Sequence, residues 1–316
     1  MLCAIMQYAI VDSTLQAATQ FASVDLEPWV NDLDPIAIEF WRIKIRWYAL
    51  AYIVGLLAAW KIALRLSKEP KSPFDEDDAN DFPTWALVGL MLGARLGYVI
   101  FYKPQYYLNN ITEIPAIWQG GMSFHGGLLG IFLAAIIFAR KRNIPLGALT
   151  DYVVLVAPIG LFLGRIANFV NGELWGRPTD HAVGVIFPNA PDLQPRHPSQ
   201  LYEALLEGLV TFTILWLLRG RTKRFNHGVL SGTFLALYGT FRFGIEFVRQ
   251  PDQHLGLIVG DLSMGQLLCA PMIIAGGIVV WRSIQTTRPV SKTEVEASPG
   301  SADDEAPPSS DDSPQG

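Results

Sequence analysis

Charge and cysteine are scarce in this 316-residue chain. Only 17% of its residues are Asp, Glu, Lys or Arg, where soluble domains average about 25%. Half are hydrophobic and the mean hydropathy is +0.27, so the composition leans toward a membrane protein. The two cysteines, Cys3 and Cys269, stand at opposite ends of the sequence, a placement that supports neither a disulfide framework nor a thiolate metal site. Cys269, within LLCAPMII, reads as a small buried apolar residue. No internal repeat of fixed period is present, which argues against an inverted-repeat transporter. Residues 1–30 lack the positive n-region of a signal peptide, and Asp12 and Gln16 interrupt their apolar stretch.

What is present is a series of long apolar runs. A bilayer core needs about 20 apolar residues per helix. Seven stretches qualify, near 46–66, 84–102, 122–139, 150–170, 200–218, 228–248 and 263–281. Lysine and arginine orient them, because cytoplasmic loops carry the positive excess. Lys61, Arg65, Lys68 and Lys71 follow the first stretch, and Arg140, Lys141 and Arg142 the third. Arg219, Arg221, Lys223 and Arg224 follow the fifth, and Arg282, Arg288 and Lys292 the seventh. The alternate loops hold only Lys103, then Arg177 with Arg196, then Arg249. Arg42, Lys44 and Arg46 run against the rule and are outvoted. The expected fold is an all-α integral membrane protein with seven transmembrane helices, N-terminus out and C-terminus in. Its expected parts are an extracytoplasmic extension over 1–33, a membrane domain over 34–285 with an outer head loop at 170–199, and a disordered acidic tail over 286–316.

The polar residues sort by depth in this frame. Arg46 and Tyr48 open the first span, Arg95 and Tyr98 fall in the outer half of the second, and His125 opens the third. Arg165 and Asn168 close the fourth, followed by Asn171 and Glu173. His197, Gln200, Tyr202 and Glu203 begin the fifth; Tyr238, Arg242 and Glu246 climb the sixth toward Arg249; Asp261, Ser263 and Gln266 begin the seventh. The inner half reads as bland. Arg165 and Asn168 share a helix face at i,i+3, and Tyr238, Arg242, Glu246 and Arg249 form one stripe. Each piece has a plain structural reading too. Arg242 and Glu246 suit an ion pair locking their helix, Arg165 suits snorkelling, and His125 suits packing. Trp41, Trp47 and Tyr48 suit an aromatic belt, and glycines 120, 121, 126, 127 and 130 suit close helix contact. None of these readings explains why all the polar groups gather at one depth.

Three arginines near one leaflet (95, 165 and 242) favour an anion already in the membrane, since guanidinium forks match phosphate and stay charged at any pH. A phospholipid headgroup fits better than a soluble metabolite. A nearby histidine suits proton transfer from a nucleophile, with carboxylates and amides to position it. The residues alone thus imply an enzyme or a carrier acting on an anionic lipid from outside.

Seven stretches make the reading specific: IRWYALAYIVG (45–55), GARLGYVIFY (93–102), GGMSFHGGLLG (120–130), GRIANFVNGELWGRPTD (164–180), RHPSQLYEALLEG (196–208), YGTFRFGIEFVRQPD (238–252) and LSMGQLL (262–268). In these motifs and their order the chain resembles the prolipoprotein diacylglyceryl transferase family over about residues 34–285. It departs from the family's usual glycine at Ala167 and at Ala49, both conservative in size. The resemblance implies a seven-helix enzyme of the bacterial inner membrane, with its site toward the outer leaflet. It would move the sn-1,2-diacylglyceryl group of phosphatidylglycerol onto the lipobox cysteine of a prolipoprotein, leaving a thioether and glycerol phosphate. Phosphatidylglycerol, the precursor's lipobox segment and membrane lipids are the implied partners, with no nucleic acid, metal or organic cofactor.

Family carry-over and depth together give Arg165 and Arg242 the phosphate. His125 is the first candidate for general base, with Glu246, Tyr238 and the lipid phosphate as alternatives. Tyr48, Asn168 and Glu173 are expected to orient the headgroup or the arginines, and Arg95, Asn171, Gln200 and Glu203 to line the substrate site. Two rival classes are an outward-facing transporter or binder of anionic lipid, which would yield no covalent product, and an intramembrane protease. For the latter, GMSFH lacks the G-x-S-x-G form, and Ser123 reads as a helix-start residue.

Overall fold

The computed structural model describes residues 28–41, 43–70, 72–222, 226–250, 257–259 and 262–285. The expected N-terminal extension up to residue 27, Asp261 and the expected tail from residue 286 lie outside the described residues. Helix α1 spans Trp47–Ser67, α2 Glu76–Phe101, the short α3 Pro104–Asn109, α4 Phe124–Arg142 and α5 Leu146–Val170. Helix α6 covers Ser199–Thr222 and is π-helical over Ala204–Val210; α7 is Val229–Ile245 and α8 Met264–Gln285. Six of them (α1, α2, α4, α5, α6 and α8) are long and apolar enough to cross a membrane. The sixth expected stretch corresponds to α7, which is apolar but has 17 residues, or about 26 Å at 1.5 Å per residue. Large apolar side chains stand exposed along the spans, among them Ile53, Val54, Leu56 and Leu57 on α1 and Ile274 and Ile278 on α8. Such a surface suits lipid rather than water, and the chain is a multi-pass integral membrane protein.

Local chemistry sets the helix ends. Helix α2 begins at Glu76, ahead of its expected start near 84, because Asp75 and Asp78 cap each other's backbone N–H groups at 2.7 and 3.1 Å. Glu76, Asp77 and Asp78 also face the positive helix N-terminus. The DEDD run therefore starts a helix rather than filling a loop. Ser123 caps α4 through Gly126 N at 3.2 Å. Arg140, Lys141 and Arg142 close it, and Asn143 takes the left-handed conformation at φ 55°.

Contacts between helix ends fix an alternating up-and-down order. Arg219 at the end of α6 meets Glu69 after α1 at 2.5 Å, and Arg142 at the end of α4 meets Asp78 and Asp81 at the start of α2. Asp151 at the start of α5 accepts from Gly228 N, Ser231 N and Ser231 Oγ at 2.7, 2.8 and 2.6 Å, gripping the start of α7. This end is not the bland half that the sequence led one to expect. Its carboxylates pair singly with arginines or, as at Asp151, staple a turn.

Glycine governs the closest helix pair. A Cβ on Gly93 would lie 2.3 Å from Gly126 O, and one on Gly130 2.0 Å from Gly89 O. Helices α2 and α4 thus touch backbone to backbone, as small residues permit in membranes.

Three small sheets accompany the helices at the far end. Strand β1 (Trp29–Val30) pairs parallel with β4 (Val185–Ile186), which pairs antiparallel with β5 (Pro195–Arg196). A hairpin joins β2 (Ile36–Phe40) to β3 (Ile43–Arg46), and β6 (Leu257–Val259) pairs with β7 (Leu262–Ser263). Asn31 is only 5% exposed; its Nδ2 donates to Phe169 O at 2.6 Å and its N to Ile186 O at 2.8 Å. Residues 29–31 are therefore tied to the head by a strand pair and the buried Asn31.

Candidate active site

The site is built on the end of α5. GRIANFV is helical through Val170, after which Gly172 (φ 63°) and Leu174 (φ 60°) take left-handed backbone. Such a conformation costs glycine nothing and leucine something. The turn is held by Gly172 N to Phe169 O at 3.0 Å and Glu173 N to Asn168 O at 3.1 Å, in the manner of a helix C-cap. It folds the Glu173 carboxylate back onto the helix, where Oε1 accepts from Asn168 Nδ2 at 2.8 Å and from Asn171 Nδ2 at 3.3 Å. Asn168 Oδ1 then accepts from Arg165 Nη1 at 3.4 Å. Gln200, on the first turn of α6, locks the same turn by donating Nε2 to Glu173 O at 2.7 Å. A relay from Gln200 through Glu173 and Asn168 thus fixes where Arg165 points.

Helices α6 and α7 complete the centre. Glu203 is fully buried and meets three guanidiniums: Arg165 Nε at 2.6 Å, Arg242 Nη1 at 3.3 Å and Arg249 Nη1 at 3.2 Å. Arg242 Nη2 also reaches Glu246 Oε2 at 3.1 Å, while Glu246 Oε1 accepts from Ser263 Oγ at 2.9 Å. Ser263 and Gln266 cap the start of α8 reciprocally at 3.0 and 3.2 Å. Gly265 lets the Glu246 carboxylate approach; a Cβ there would lie 2.8 Å from Oε1. Arg242 Nη1 is buried with no aligned hydrogen-bond acceptor, so its contact with Glu203 is ionic only. A buried donor left in this state is costly unless something else uses it.

Tyrosines flank the arginines. Tyr238 stacks on Phe234 with centroids 5.8 Å apart and lies within electrostatic range of Arg165, Arg242 and Glu207. Tyr48 and Tyr52 pair with centroids 5.0 Å apart, and Tyr52 senses Arg165 and Glu173. Of the residues singled out in the sequence, Arg165, Asn168, Asn171, Glu173, Gln200, Glu203, Arg242 and Glu246 form one bonded network, with Tyr48 and Tyr238 beside it.

Two expected members stand apart. Arg95 is only 3% exposed, and its guanidinium is taken up by carbonyls: Nε to Ile114 O at 2.7 Å, Nη1 to Gly120 O and Gly121 O at 2.6 and 3.2 Å, and Nη2 to Glu113 O at 2.8 Å. Tyr107 stacks on it at 5.2 Å. The expectation that Arg95 lines the anion site is therefore corrected: it folds the 113–121 segment that leads into α4. Its partners were invisible, because carbonyl acceptors leave no mark in a sequence. His125 stands exposed in the first turn of α4, edge-on to Phe124 at 5.5 Å. Among the described residues no hydrogen bond or ion pair joins it to the arginines, although α4 begins at the same end of the bundle.

One group in the centre was missed. Glu207 is fully buried, with Oε2 4.0 Å from Arg165 Nη2 and Oε1 3.9 Å from Arg242 Nη1. Neither oxygen has a hydrogen bond. The spacing EALLE, which puts Glu203 and Glu207 on one face at i,i+4, was the available signal.

Three arginines and three glutamates thus meet where α5 ends, α6 begins and α7 ends. The family described as Prolipoprotein diacylglyceryl transferase matches residues 35–282. The chain is 52% identical to the phosphatidylglycerol–prolipoprotein diacylglyceryl transferase of Paramagnetospirillum magneticum, over 79% of this chain and 93% of that protein. It is 50% identical to the protein of the same name from Nitrobacter hamburgensis, over 78% of this chain and 87% of that one. A third, from Rhodospirillum rubrum, is 48% identical over 82% and 95%. With nearly the full length of these relatives covered and the whole arginine–glutamate centre inside the matched span, the chain belongs to the prolipoprotein diacylglyceryl transferase family.

Proposed function

We infer that this protein transfers the diacylglyceryl group of phosphatidylglycerol to the cysteine thiol of a prolipoprotein, the first step of lipoprotein maturation. The observation that carries the site assignment is Arg242 Nη1, buried without an aligned acceptor beside Arg165. A phosphate oxygen supplies the missing acceptor, and two guanidiniums at one carboxylate suit the bidentate geometry of a phosphodiester.

The chemistry follows from charge. The thiol sulfur attacks the glyceryl carbon that bears the phosphate; a C–S bond forms, the C–O bond breaks, and glycerol phosphate leaves with the bonding pair. The thiol proton goes to a base, which we assign to His125 at the same end of the bundle. Negative charge builds on the departing phosphate, where preorganised donors act most strongly; that is the role of Arg165 and Arg242. Glu246 is engaged by both Arg242 and Ser263, an arrangement suited to orienting a guanidinium. Asn168 and Glu173 do the same for Arg165. Tyr48 and Tyr238 wall the headgroup, and Gln200 and Asn171 hold the turn beneath it.

In this reading α7 also crosses the membrane and brings the spans to seven, the arginine-rich loops lie in the cytoplasm, and the site faces the outer leaflet of the bacterial inner membrane. The positive-inside distribution supports that orientation. The test uses purified protein, phosphatidylglycerol and a lipobox peptide. Diacylglyceryl mass should appear on the cysteine, and Arg165→Ala and Arg242→Ala should abolish it. Full transfer by both variants would remove the phosphate assignment, and lipid movement without a covalent product would favour a transporter.

A further inference from the structure

We propose that Glu207 is a counter-charge that weakens the grip of Arg165 and Arg242 on phosphate, so that the anionic product can leave. The inference rests on the reading above, that this centre holds the headgroup phosphate. Glu207 is fully buried, neither of its oxygens is hydrogen-bonded, and each lies near a different arginine, at 3.9 and 4.0 Å. Those separations exceed hydrogen-bonding distance, so Glu207 occupies none of the N–H groups a phosphate needs. They remain well within the range at which a carboxylate lowers the local positive potential. Glu203, one turn earlier, does the opposite: it touches three guanidiniums directly and holds them in place.

The backbone keeps Glu207 in this position. It lies in the π-helical stretch Ala204–Val210, with Thr211 Oγ1 donating to Leu206 O at 2.8 Å. π-Helical turns recur at functional sites. Gly208 presses on α5, where a Cβ would lie 2.6 Å from Phe162 Cβ and 2.8 Å from Phe162 Cα. Helix α6 is thus packed closely on α5 beside Glu207.

Charge counting gives the consequence. In their ionised forms Glu203, Glu207 and Glu246 match Arg165, Arg242 and Arg249 in number, and Glu173 adds a carboxylate behind Asn168, so the empty centre offers an arriving phosphate no net positive charge. Without the Glu207 charge the potential at Arg165 and Arg242 is more positive before binding, and the product is held rather than released.

The experiment measures binding of glycerol phosphate to the full chain in detergent, together with transfer kinetics. Glu207→Gln keeps the shape and removes the charge. It is expected to bind glycerol phosphate about tenfold more tightly, a conservative figure for one charge near 4 Å after screening. It should also show a lower KM for phosphatidylglycerol, a lower kcat and stronger product inhibition. Glu207→Asp keeps the charge and should stay within about threefold of wild type, whereas a packing role would make it the worse variant. Glu207→Met, unbranched and uncharged, replaces the glutamine variant if that one does not fold, and should also tighten anion binding. Unchanged or weaker anion binding in the uncharged variant overturns the proposal. Wild-type protein that binds the anion yet transfers no diacylglyceryl group overturns the functional reading, while the variant comparison still decides the role of Glu207.

Discussion

Replacing Glu203 by glutamine tests whether one carboxylate organises the arginine centre. Glu203 is fully buried and lies 2.6, 3.2 and 3.3 Å from Arg165, Arg249 and Arg242. At an effective dielectric constant near 20, each contact is worth about 5–6 kcal/mol before desolvation is set against it. Breaking a buried pair by removing one partner typically costs about 3–5 kcal/mol net. The three arginine side chains retain 19%, 11% and 16% exposure, so water and salt screen part of this, and we take about 3 kcal/mol. Glutamine preserves the volume, so the loss is one of charge rather than packing. If the same arginine geometry serves the transition state, kcat/KM for transfer falls about 100-fold. The thermal midpoint falls too, and added glycerol phosphate, as a replacement anion, restores part of it. The measurements are steady-state transfer to a lipobox peptide and thermal unfolding in detergent with and without the anion. A variant within about threefold of wild-type kcat/KM and with an unchanged midpoint would refute Glu203 as the organising group.

Two further outcomes follow from other parts of the molecule. Gly93→Ala puts a methyl group 2.3 Å from Gly126 O and 2.7 Å from Gly130 Cα. Neither backbone can yield alone, so the variant should lose at least about 2 kcal/mol in an unfolding titration, and a wild-type curve would show that the helices separate freely. In the head, burial and then nearby His181 hold the His197 imidazole below its ordinary value of 6.5. The neutral ring is therefore the form that favours folding: its contribution is intact above pH about 6.5 and is lost as pH falls through the depressed folded value. Thermal midpoints measured from pH 7.5 downward should decline below about pH 6.5, and the decline should be shallower in His197→Gln; parallel slopes would exclude His197 as the source.

Six of the seven apolar runs became helices long and apolar enough to cross a membrane, because a helix in lipid must satisfy its own backbone and present about 20 apolar residues. The same logic made Arg165, Asn168, Arg242 and Glu246 conspicuous, since polar groups on such helices are costly. Motif order identified the family. Tertiary structure decided which polar groups meet. Arg95 and Arg165 look alike in sequence, yet the first spends its N–H groups on the carbonyls of 113–121 and the second on Glu203 and Asn168. EALLE puts Glu203 and Glu207 on one face, but that Glu207 stands near two arginines without a hydrogen bond to either is defined only by distances across three helices. The start of α2 and the packing of residues 29–31 on the head likewise depend on reciprocal caps and a strand pair. Hydropathy reports the cost of placing a residue in lipid, which each residue carries by itself. Partnership depends on the relative positions of separate helices, and only the folded chain sets those.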